Sequence, residues 1–512
     1  MPVLHARSAP ASLGAALILT WATLLPLAAP AVGAEAAARP NIVIVYADDM
    51  GYGDLGIQNP DSKIPTPHLD RLAREGMRLT DAHSSAAICS PSRYALLTGS
   101  YHWRRLQDIV QPFGPSVFKS ADLTLPEMLK AEGYRTACIG KWHLGWDWDA
   151  IKNPGAAPPD PKLGYAADAF DWSKPIAGGP TAQGFDYYFG NDVPNFPPYT
   201  WFENDHIVGP APTMPVSPTG GPAEGGWDTW AGPMPQGWDF YAVVPKLTQQ
   251  TVDWIGQQRG KEGPFFLYVP LNSPHTPIVP IAEFRGRSQA GGYGDWVAQT
   301  DDNVGRILKA LDDNGFAQNT LVVFSSDNGP EASAYNRVRK FDHRSAGPLR
   351  GVKRDLWEGG HRVPMIVRWP GHVKPETVSD ELVSQVDLMA TLAAVVGHAL
   401  PAGSAPDSYN QLPVWEEGAA SPRHAIVHNG VNGSYAVRHD QWLLVAAKTG
   451  AVSRVPDWLE KEQGDAENEY PGELYDLSQD LGERRNLYGE HPDKVGELKA
   501  LLGEIRAKGQ VR

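Results

Sequence analysis

The sequence predicts an α/β protein with a large, mostly parallel sheet sandwiched by helices, followed by a small C-terminal α+β unit. Short apolar runs alternate with amphipathic segments over the first 400 residues, as in repeated strand–loop–helix units. Beyond residue 400 the pattern changes to short strand-like runs separated by turns. Charged residues follow the apolar runs at the same end, as in open α/β sheets that bind a ligand at one edge.

Buried strands are predicted where apolar and β-branched residues run together without interruption. These runs are 41–47 (NIVIVYA), 134–140, 265–271 (FFLYVPL), 321–326 (LVVFSS) and 363–368. Amphipathic spacing predicts helices at 66–76, 89–99, 124–133, 296–314 and 387–396. Thr124 and Glu127 form a capping-box pattern at the start of the third helix, and Gly315 follows the fourth.

The predicted catalytic domain covers residues 35–400, and a C-terminal α+β subdomain covers 401–512. Residues 150–240 are rich in Pro, Gly and Trp and show little periodicity, so we expect a loop-rich insertion that carries substrate contacts. In the C-terminal subdomain the predicted antiparallel strands are 425–428, 434–448 and 473–477, and a helix is expected near 495–508.

The N-terminus predicts export. Arg7 precedes an apolar stretch from Leu13 to about Ala31, and small residues follow at 32–34, so residues 1–34 are interpreted as a signal peptide. A membrane anchor is the alternative, but Thr and Pro residues interrupt the stretch. No later segment reaches the ~18 consecutive apolar residues of a membrane span. We expect a periplasmic or secreted protein without membrane insertion.

The composition excludes some partners. The formal net charge is −14 and the pI is about 5.5, which disfavours nucleic acid and anionic membranes as partners. The chain has two cysteines, Cys89 and Cys138, so no disulfide framework supports the fold. A single bond between them remains possible, although Cys138 lies in an apolar run and resembles a buried hydrophobic residue.

Four hard oxygen donors follow two of the predicted strands. Asp48 and Asp49 come directly after strand 41–47, and Asp327 and Asn328 come directly after strand 321–326. Such a pair alone is often a turn or a helix cap. Two pairs at one sheet edge instead indicate a site for Ca²⁺ or Mg²⁺ rather than for zinc or copper. Three clustered carboxylates would repel one another without a cation.

Positive side chains are predicted at the same edge. Lys141 and His143 follow strand 134–140, and His275 follows strand 265–271. Lys353 lies in a loop, where a solvated lysine is the alternative interpretation. The remaining cation, Arg93, lies one turn into the helix that begins at Cys89. Together these groups are suited to bind an oxyanion and to stabilise charge that develops during its transfer.

Cys89 is predicted at the positive end of a helix, where Pro91 fits the first turn. A thiolate would be a soft ligand beside a hard cation, whereas a hydrated aldehyde offers oxygens to both the metal and a substrate. The residues therefore favour a modified cysteine. A thiol hydrolase that pairs Cys89 with a histidine is the weaker alternative.

Seven separated motifs between Asn41 and about Leu487 resemble those of the type I sulfatases. They are 47–51 (ADDMG), 89–93 (CSPSR), 140–145 (GKWHLG), 273–275 (SPH), 326–329 (SDNG), 349–353 (LRGVK) and 473–477 (ELYDL). Many relatives carry a second glycine where Val352 stands. The chain is most similar to the arylsulfatase A and N-acetylgalactosamine-6-sulfatase branch.

The resemblance implies an alkaline-phosphatase-like fold and a formylglycine made from Cys89 by a maturation enzyme. It implies that calcium is held by the four oxygen donors and the hydrated formylglycine. Arg93 would then steady the formylglycine, and Lys141 and Lys353 would bind sulfate oxygens. His275 would act as the general acid and His143 would help to deprotonate the hydrate.

The expected substrate is a sulfated saccharide or a small sulfate ester. Possible sugar contacts are His102, Trp103, Arg104, Trp146 and Asp147, although ordinary loop packing explains them equally well. A phosphonate or phosphodiester hydrolase is the second hypothesis. If Cys89 is not oxidised, a non-catalytic protein that binds sulfated glycans is the third.

Overall fold

The protein is described from a computed structural model that covers residues 39–215, 229–463 and 468–508. The described residues form one compact unit. The predicted signal peptide lies outside the described residues and stays a prediction, as does the predicted division at residue 400. None of the helices within the described ranges is long and apolar enough to cross a membrane.

The described residues form eleven α-helices and eighteen β-strands. The helices are α1 Pro67–Arg74, α2 Cys89–Thr98, α3 Leu125–Ala131, α4 Val243–Gln257, α5 Gly291–Asp313, α6 Ala334–Phe341, α7 Glu358–His361, α8 Leu388–Val396, α9 Leu412–Glu417, α10 Asp457–Gln463 and α11 Pro492–Lys508. The first nine strands are β1 Asn41–Ala47, β2 Met77–Leu79, β3 Ala82–His83, β4 Arg135–Lys141, β5 Tyr187–Asn191, β6 Trp201–Glu203, β7 His206–Val208, β8 Met214–Pro215 and β9 Pro233–Met234. The others are β10 Phe265–Pro270, β11 Thr320–Ser326, β12 Met365–Arg368, β13 Thr377–Ser379, β14 Val383–Ser384, β15 Ala425–Asn429, β16 Tyr435–His439, β17 Trp442–Val445 and β18 Glu473–Asp476.

The main sheet has ten strands in the order β13-β2-β12-β11-β1-β10-β4-β5-β6-β7. Its five central strands, β11 to β5, are parallel to one another. This confirms the predicted fold class, an alkaline-phosphatase-like α/β sheet with an antiparallel C-terminal sheet. The parallel centre brings the carboxyl ends of four predicted strands to one edge.

Both faces of the main sheet are covered by helices. Ile42, Ile44 and Tyr46 of β1 belong to a core shared with α2, α3 and α8. The alternate β1 residues, 43, 45 and 47, belong to a second core shared with α1, α4 and α5. Because side chains alternate across a strand, burial on both faces explains why β1 is apolar along its whole length.

Several predicted elements differ from the observed ones. Residues 150–240 are more than surface loops, because β5, β6 and β7 extend the main sheet. Strand β12, predicted within the parallel series, pairs antiparallel with β11. The predicted strand 434–448 is a hairpin of β16 and β17. Helix α5 begins at Gly291 instead of residue 296, since Trp296 lies within its buried face rather than at its start.

The four C-terminal strands form an antiparallel sheet in the order β15-β16-β17-β18, and α11 packs on it. A buried ion pair precedes this sheet: Arg423 Nε donates to Asp387 Oδ2 at 2.9 Å, at the start of α8. The Arg423 side chain is fully buried, and that of Asp387 is 3% exposed. The pair therefore ties the chain before β15 to the covering helices.

Replacing Arg423 by Met should lower the free energy of unfolding by roughly 3–5 kcal/mol, because the Asp387 carboxylate would stay buried without its charged partner. Chemical denaturation with two spectroscopic probes measures this change. Arg454→Met is the matched control, since the Arg454 side chain is 88% exposed and should alter stability little. Equal effects of the two substitutions would contradict the structural role of Arg423.

Candidate active site

The candidate site lies at the carboxyl edge of the parallel strands. Ala47, the last residue of β1, pairs with Ser326, the last residue of β11. The residues that follow these two strands are therefore neighbours. Lys141 is the last residue of β4, and His275 lies five residues beyond the end of β10. The structure thus brings together residues that the sequence predicts at one edge.

The four predicted oxygen donors form one buried group. Asn328 Nδ2 donates to Asp49 Oδ1 at 2.7 Å, and the Asp49 backbone N–H donates to Asp327 Oδ1 at 3.2 Å. Asp48 and Asp327 are fully buried, and Asp49 is 2% exposed. The backbone also packs tightly here, because a Cβ on Gly329 would lie 1.9 Å from the Gly359 carbonyl oxygen. Glycine is therefore needed directly after Asn328.

Each carboxylate of this group has a buried cationic partner. Lys141 Nζ lies 2.8 Å from Asp48 Oδ2, and Lys353 Nζ lies 2.6 Å from Asp49 Oδ1. The third pair joins Arg93 Nη2 to Asp327 Oδ2 at 2.8 Å. The predicted lysine loop thus reaches the site, and Lys353 is 2% exposed instead of solvated.

The pKa values of two of these carboxylates are shifted in opposite directions. Burial and the neighbouring Asp48 raise the pKa of Asp327 to about 6, against the opposing effect of Arg93. Burial also acts to raise the pKa of Asp49, but Lys353 and His275 outweigh it and hold that pKa well below its usual range. The site therefore concentrates negative charge, which its cations balance.

The donor set fits a hard cation. Asn328 Oδ1 is buried and has no hydrogen-bond partner within the described residues. Four ligand atoms lie within 4.8 Å of one another, one from each of Asp48, Asp49, Cys89 and His275. An unsatisfied amide oxygen beside three carboxylates is suited to Ca²⁺, which prefers oxygen ligands.

Cys89 begins helix α2, as predicted. Gly99 caps the other end with φ 65°, and its N–H donates to Ala95 O at 2.9 Å. Cys89 is buried, and its Sγ lies 3.7 Å from Asp48 Oδ1. Burial acts to raise the thiol pKa, but Lys141 and Lys353 outweigh it and lower that pKa to about 7. In the described structure both cysteines are free, and burial raises the pKa of Cys138 well above its ordinary value.

Two histidines face the same region. His275 Nδ1 donates to Thr276 O at 2.6 Å, so its Nε2 points towards the carboxylates and lies 3.7 Å from Asp49 Oδ2. Burial acts to lower the pKa of His275, but Asp48 and Asp49 outweigh it and raise that pKa. His143 Nε2 donates to Val110 O at 3.0 Å. Burial and Lys141 hold the pKa of His143 well below its ordinary value, so its buried Nδ1 is an acceptor.

A cavity of about 250 Å³ opens above Cys89. Its lining combines predicted site residues with others that sequence reasoning missed: Ile88, Ile109, Val193, Asn195, Phe196, Trp230, Thr276, Glu331 and Arg354. Arg354 Nη1 lies 2.7 Å from Glu331 Oε1. The adjacency of Arg354 to Lys353 was a usable signal in the sequence. For the cavity residues that belong to the 150–240 insertion, the sequence gave no signal beyond the composition of that insertion.

The five proposed sugar contacts do not line this cavity. Trp146 is fully buried and stacks on Phe202 of β6 with ring centroids 4.9 Å apart. His102 is also fully buried, and Arg104 pairs with Asp407. Trp103 stacks on Tyr101, and Asp147 is exposed elsewhere. Trp146 packs against β6, a strand that was not predicted, and this packing leaves it unable to contact a sugar in the cavity.

Similarity to known protein families identifies the class of this protein. The sulfatase family model matches residues 40–398, and the model for the C-terminal part of N-sulphoglucosamine sulphohydrolase matches residues 352–446. The chain therefore belongs to the sulfatase family, and it is a sulfatase, an enzyme that hydrolyses sulfuric esters.

Individual relatives match over most of their length. The N-acetylgalactosamine-6-O-sulfatase of Bacteroides thetaiotaomicron is 33% identical, with 92% of this chain and 94% of the relative covered. Human arylsulfatase A is 32% identical, with 94% and 89% covered. A solved structure from work on glycosaminoglycan metabolism by Bacteroides thetaiotaomicron has a TM-score of 0.77 and 30% identity, covering 92% of this chain and all of that one. These matches confirm the resemblance seen in the sequence.

The lowered thiol pKa predicts how unmodified, metal-free Cys89 reacts. Since the thiolate is the reactive form, alkylation by iodoacetamide should rise with pH and reach half of its maximum at about pH 7. Mass spectrometry of the peptides measures the rate, and the Cys138 peptide of the same sample serves as the control. A midpoint near the ordinary thiol value of 9, or equal labelling of both cysteines, would contradict the described electrostatics.

Proposed function

We propose that the protein removes sulfate from a sulfated saccharide, using a formylglycine derived from Cys89 and one calcium ion. The observation that carries this proposal is the position of Cys89 Sγ, 3.7 Å from a carboxylate oxygen of the buried acidic group. The similar proteins of the sulfatase family support sulfate ester hydrolysis in general. The proposal adds three points to this general activity: the substrate is a saccharide, Cys89 is modified, and one calcium ion is bound.

The residues that would hold the ion are Asp48, Asp49, Asp327 and Asn328, together with the oxygens of the modified Cys89. When bound, calcium would supply positive charge that neutralises the carboxylates and polarises a sulfate oxygen. Formylglycine would supply the attacking oxygen. Magnesium suits the site less, because it demands stricter octahedral geometry and keeps more of its waters.

The cations of the chain divide into two roles. Arg93 donates two hydrogen bonds to Asp327, at 2.8 and 3.2 Å, and so orients a metal ligand. Its buried Nη1 has no hydrogen-bond partner among the described residues, which leaves a donor for the modified Cys89. Lys141 Nζ and Lys353 Nζ contact the carboxylates of Asp48 and Asp49, and Lys353 also lines the Cys89 cavity. Once a metal neutralises the carboxylates, these two ammonium groups are suited to bind sulfate oxygens.

The histidines are suited to proton transfer. His275 keeps Nε2 towards the site, so it can donate a proton to the oxygen that leaves with the alcohol. His143 is neutral, and its Nδ1 can accept a hydrogen bond from the modified Cys89. These assignments agree with the roles expected from the family resemblance.

The cavity wall favours a saccharide. Trp230 is 45% exposed and contacts Phe196 with ring centroids 4.8 Å apart. Trp230 also lines a second cavity of about 430 Å³, together with Phe113 and Tyr165. Aromatic faces combined with polar groups such as Glu331 and Arg354 are typical of sites that bind an amphipathic ring with hydroxyl groups. Relatives named as N-acetylgalactosamine-6-sulfatases support the same substrate class.

Export and maturation belong to the same proposal. A signal peptide at residues 1–34 would deliver the protein to the periplasm or the medium. A formylglycine-generating enzyme would be its partner before folding, since Cys89 is buried in the folded chain. The acidic net charge of −14 supports the absence of nucleic acid partners.

Cys89→Ala should abolish turnover of sulfated saccharides and aryl sulfates, by about 10⁴-fold or more, because the attacking oxygen is lost. Cys138→Ala is the matched control and should keep its activity. The mass of the wild-type peptide containing residue 89 should show formylglycine. Activity retained in Cys89→Ala, an intact thiol in fully active enzyme, or preferred turnover of aryl phosphate over aryl sulfate would each refute the proposal.

His275→Ala should slow substrates with poor leaving groups by roughly 10²–10⁴-fold, since these alcohols need a proton as they leave. Activated aryl sulfates, whose leaving groups are stable as anions, should lose much less. The ratio of kcat/KM for a sugar sulfate and a nitrophenyl sulfate measures the difference. Equal losses on both substrates would show that His275 does not act as the acid.

A further inference from the structure

A second cluster of buried histidines lies outside the proposed active site. His83 of β3 and His361 of α7 are fully buried, and His428 of β15 is 1% exposed. Each offers one ring nitrogen, and these three atoms lie within 4.8 Å of one another. The three residues come from distant parts of the sequence, and neither the family motifs nor the proposed mechanism uses them.

Neighbouring groups determine which ring nitrogen carries the proton in His83 and in His361. His83 Nε2 lies 2.8 Å from Asp81 Oδ1, and a carboxylate only accepts, so this nitrogen donates. Arg438 Nη1 lies 3.2 Å from the same nitrogen but donates to Asp81 Oδ1 at 2.8 Å. His361 Nε2 donates to the carbonyl oxygen of Leu356 at 3.2 Å.

The two remaining nitrogens of this pair face each other. His83 Nδ1 lies 3.1 Å from His361 Nδ1. With both protons on the Nε2 atoms, two lone pairs point at one another in a buried site. Only a shared proton or a metal ion can relieve this arrangement. The separation is close to the ~3.4 Å expected between two imidazole nitrogens on a tetrahedral Zn²⁺.

The third histidine distinguishes these two occupants. Its ring stacks on His361, with centroids 3.4 Å apart. Neither nitrogen of His428 has a hydrogen-bond partner of normal geometry in the described part of the chain, beyond a weak interaction with the Ser85 backbone. A proton shared by His83 and His361 leaves His428 unsatisfied, which is costly for a buried polar group. A metal ion would bind His428 once its ring turns out of the 13° stack on His361, because the lone pairs of two stacked rings run parallel and do not meet at one ion.

We propose that His83, His361 and His428 form a structural site for a divalent transition-metal ion, zinc under ordinary conditions. Imidazole nitrogens suit Zn²⁺ and not Ca²⁺, so this site would not compete for the calcium of the acidic group. Asp81 and the Leu356 carbonyl accept from the far ring nitrogens of His83 and His361, as outer partners of metal-bound histidines usually do. A water would complete the coordination.

The charges around the cluster are nearly balanced. Arg438 and Arg362 pair with the carboxylates of Asp81 and Glu358. Glu358 Oε1 is also buried without a hydrogen-bond partner among the described residues.

The site would fasten three segments together. His83 lies six residues before Cys89, and the Ser84 backbone N–H donates to His361 O at 2.9 Å. His428 belongs to the C-terminal sheet. A metal bound here would therefore hold the chain that leads into α2 against the C-terminal sheet, and so would fix the position of Cys89 without contacting it.

Metal analysis tests the proposal directly. Full-length wild-type protein produced in zinc-supplemented medium and freed of loose ions by gel filtration should contain about one zinc ion per chain. His428→Phe keeps an aromatic ring on His361 but removes the ligand, and it should contain almost none. The control is His424→Phe, since the His424 side chain is 69% exposed, and it should match the wild type. Cobalt-substituted wild type should show visible d–d bands that His428→Phe lacks.

Two outcomes would overturn the proposal. The first is folded wild-type protein without zinc. A shared proton would then explain the close approach of His83 Nδ1 and His361 Nδ1. The second is equal zinc content in wild type and His428→Phe. Because neither readout depends on sulfate hydrolysis, failure here is distinguishable from failure of the proposed function.

Discussion

Three carboxylates at the ends of two adjacent strands are the constraint on which the rest of the site depends. Asp48, Asp49 and Asp327 are buried together, and their repulsion in a low-dielectric interior has to be balanced by positive charge. The parallel pairing of β1 with β11 makes this crowding unavoidable, because it places both acidic turns side by side. Strand β4, which is separated from β1 by β10, delivers one cation to that group, and helix α2 and the loop before α7 deliver one each.

The same balance sets the chemistry of residue 89. Its thiol lies against Asp48, but Lys141 and Lys353 dominate its electrostatic surroundings and lower its pKa to about 7. A cation at the acidic group would release both lysines for an oxyanion, so metal binding and anion binding are coupled through shared partners. The site is therefore best understood as one electrostatic unit in which each group is positioned by the charge of another.

The sequence predicted that Asp48, Asp49, Asp327 and Asn328 lie together, because these residues directly follow apolar strands. Position after a strand determines which edge a residue reaches, whereas the identity of its partner depends on tertiary packing. That is why the pairing of Lys353 with Asp49, and the wall residues Glu331 and Trp230, were not predicted. Strand β5 was missed for a related reason: its sequence, YYFGN, ends in Gly and Asn and becomes a strand by pairing with β4. For Trp146 the sequence left a sugar contact and ordinary packing equally open, because β6, which buries it, was not predicted.

Anomalous diffraction from a crystal grown with calcium tests the central account most directly. The account predicts a single calcium peak enclosed by the side-chain oxygens of residues 48, 49, 327 and 328, next to an oxidised residue 89. A map without an ion there, in which the lysines and the arginine alone neutralise the three carboxylates around an unaltered thiol, would contradict it.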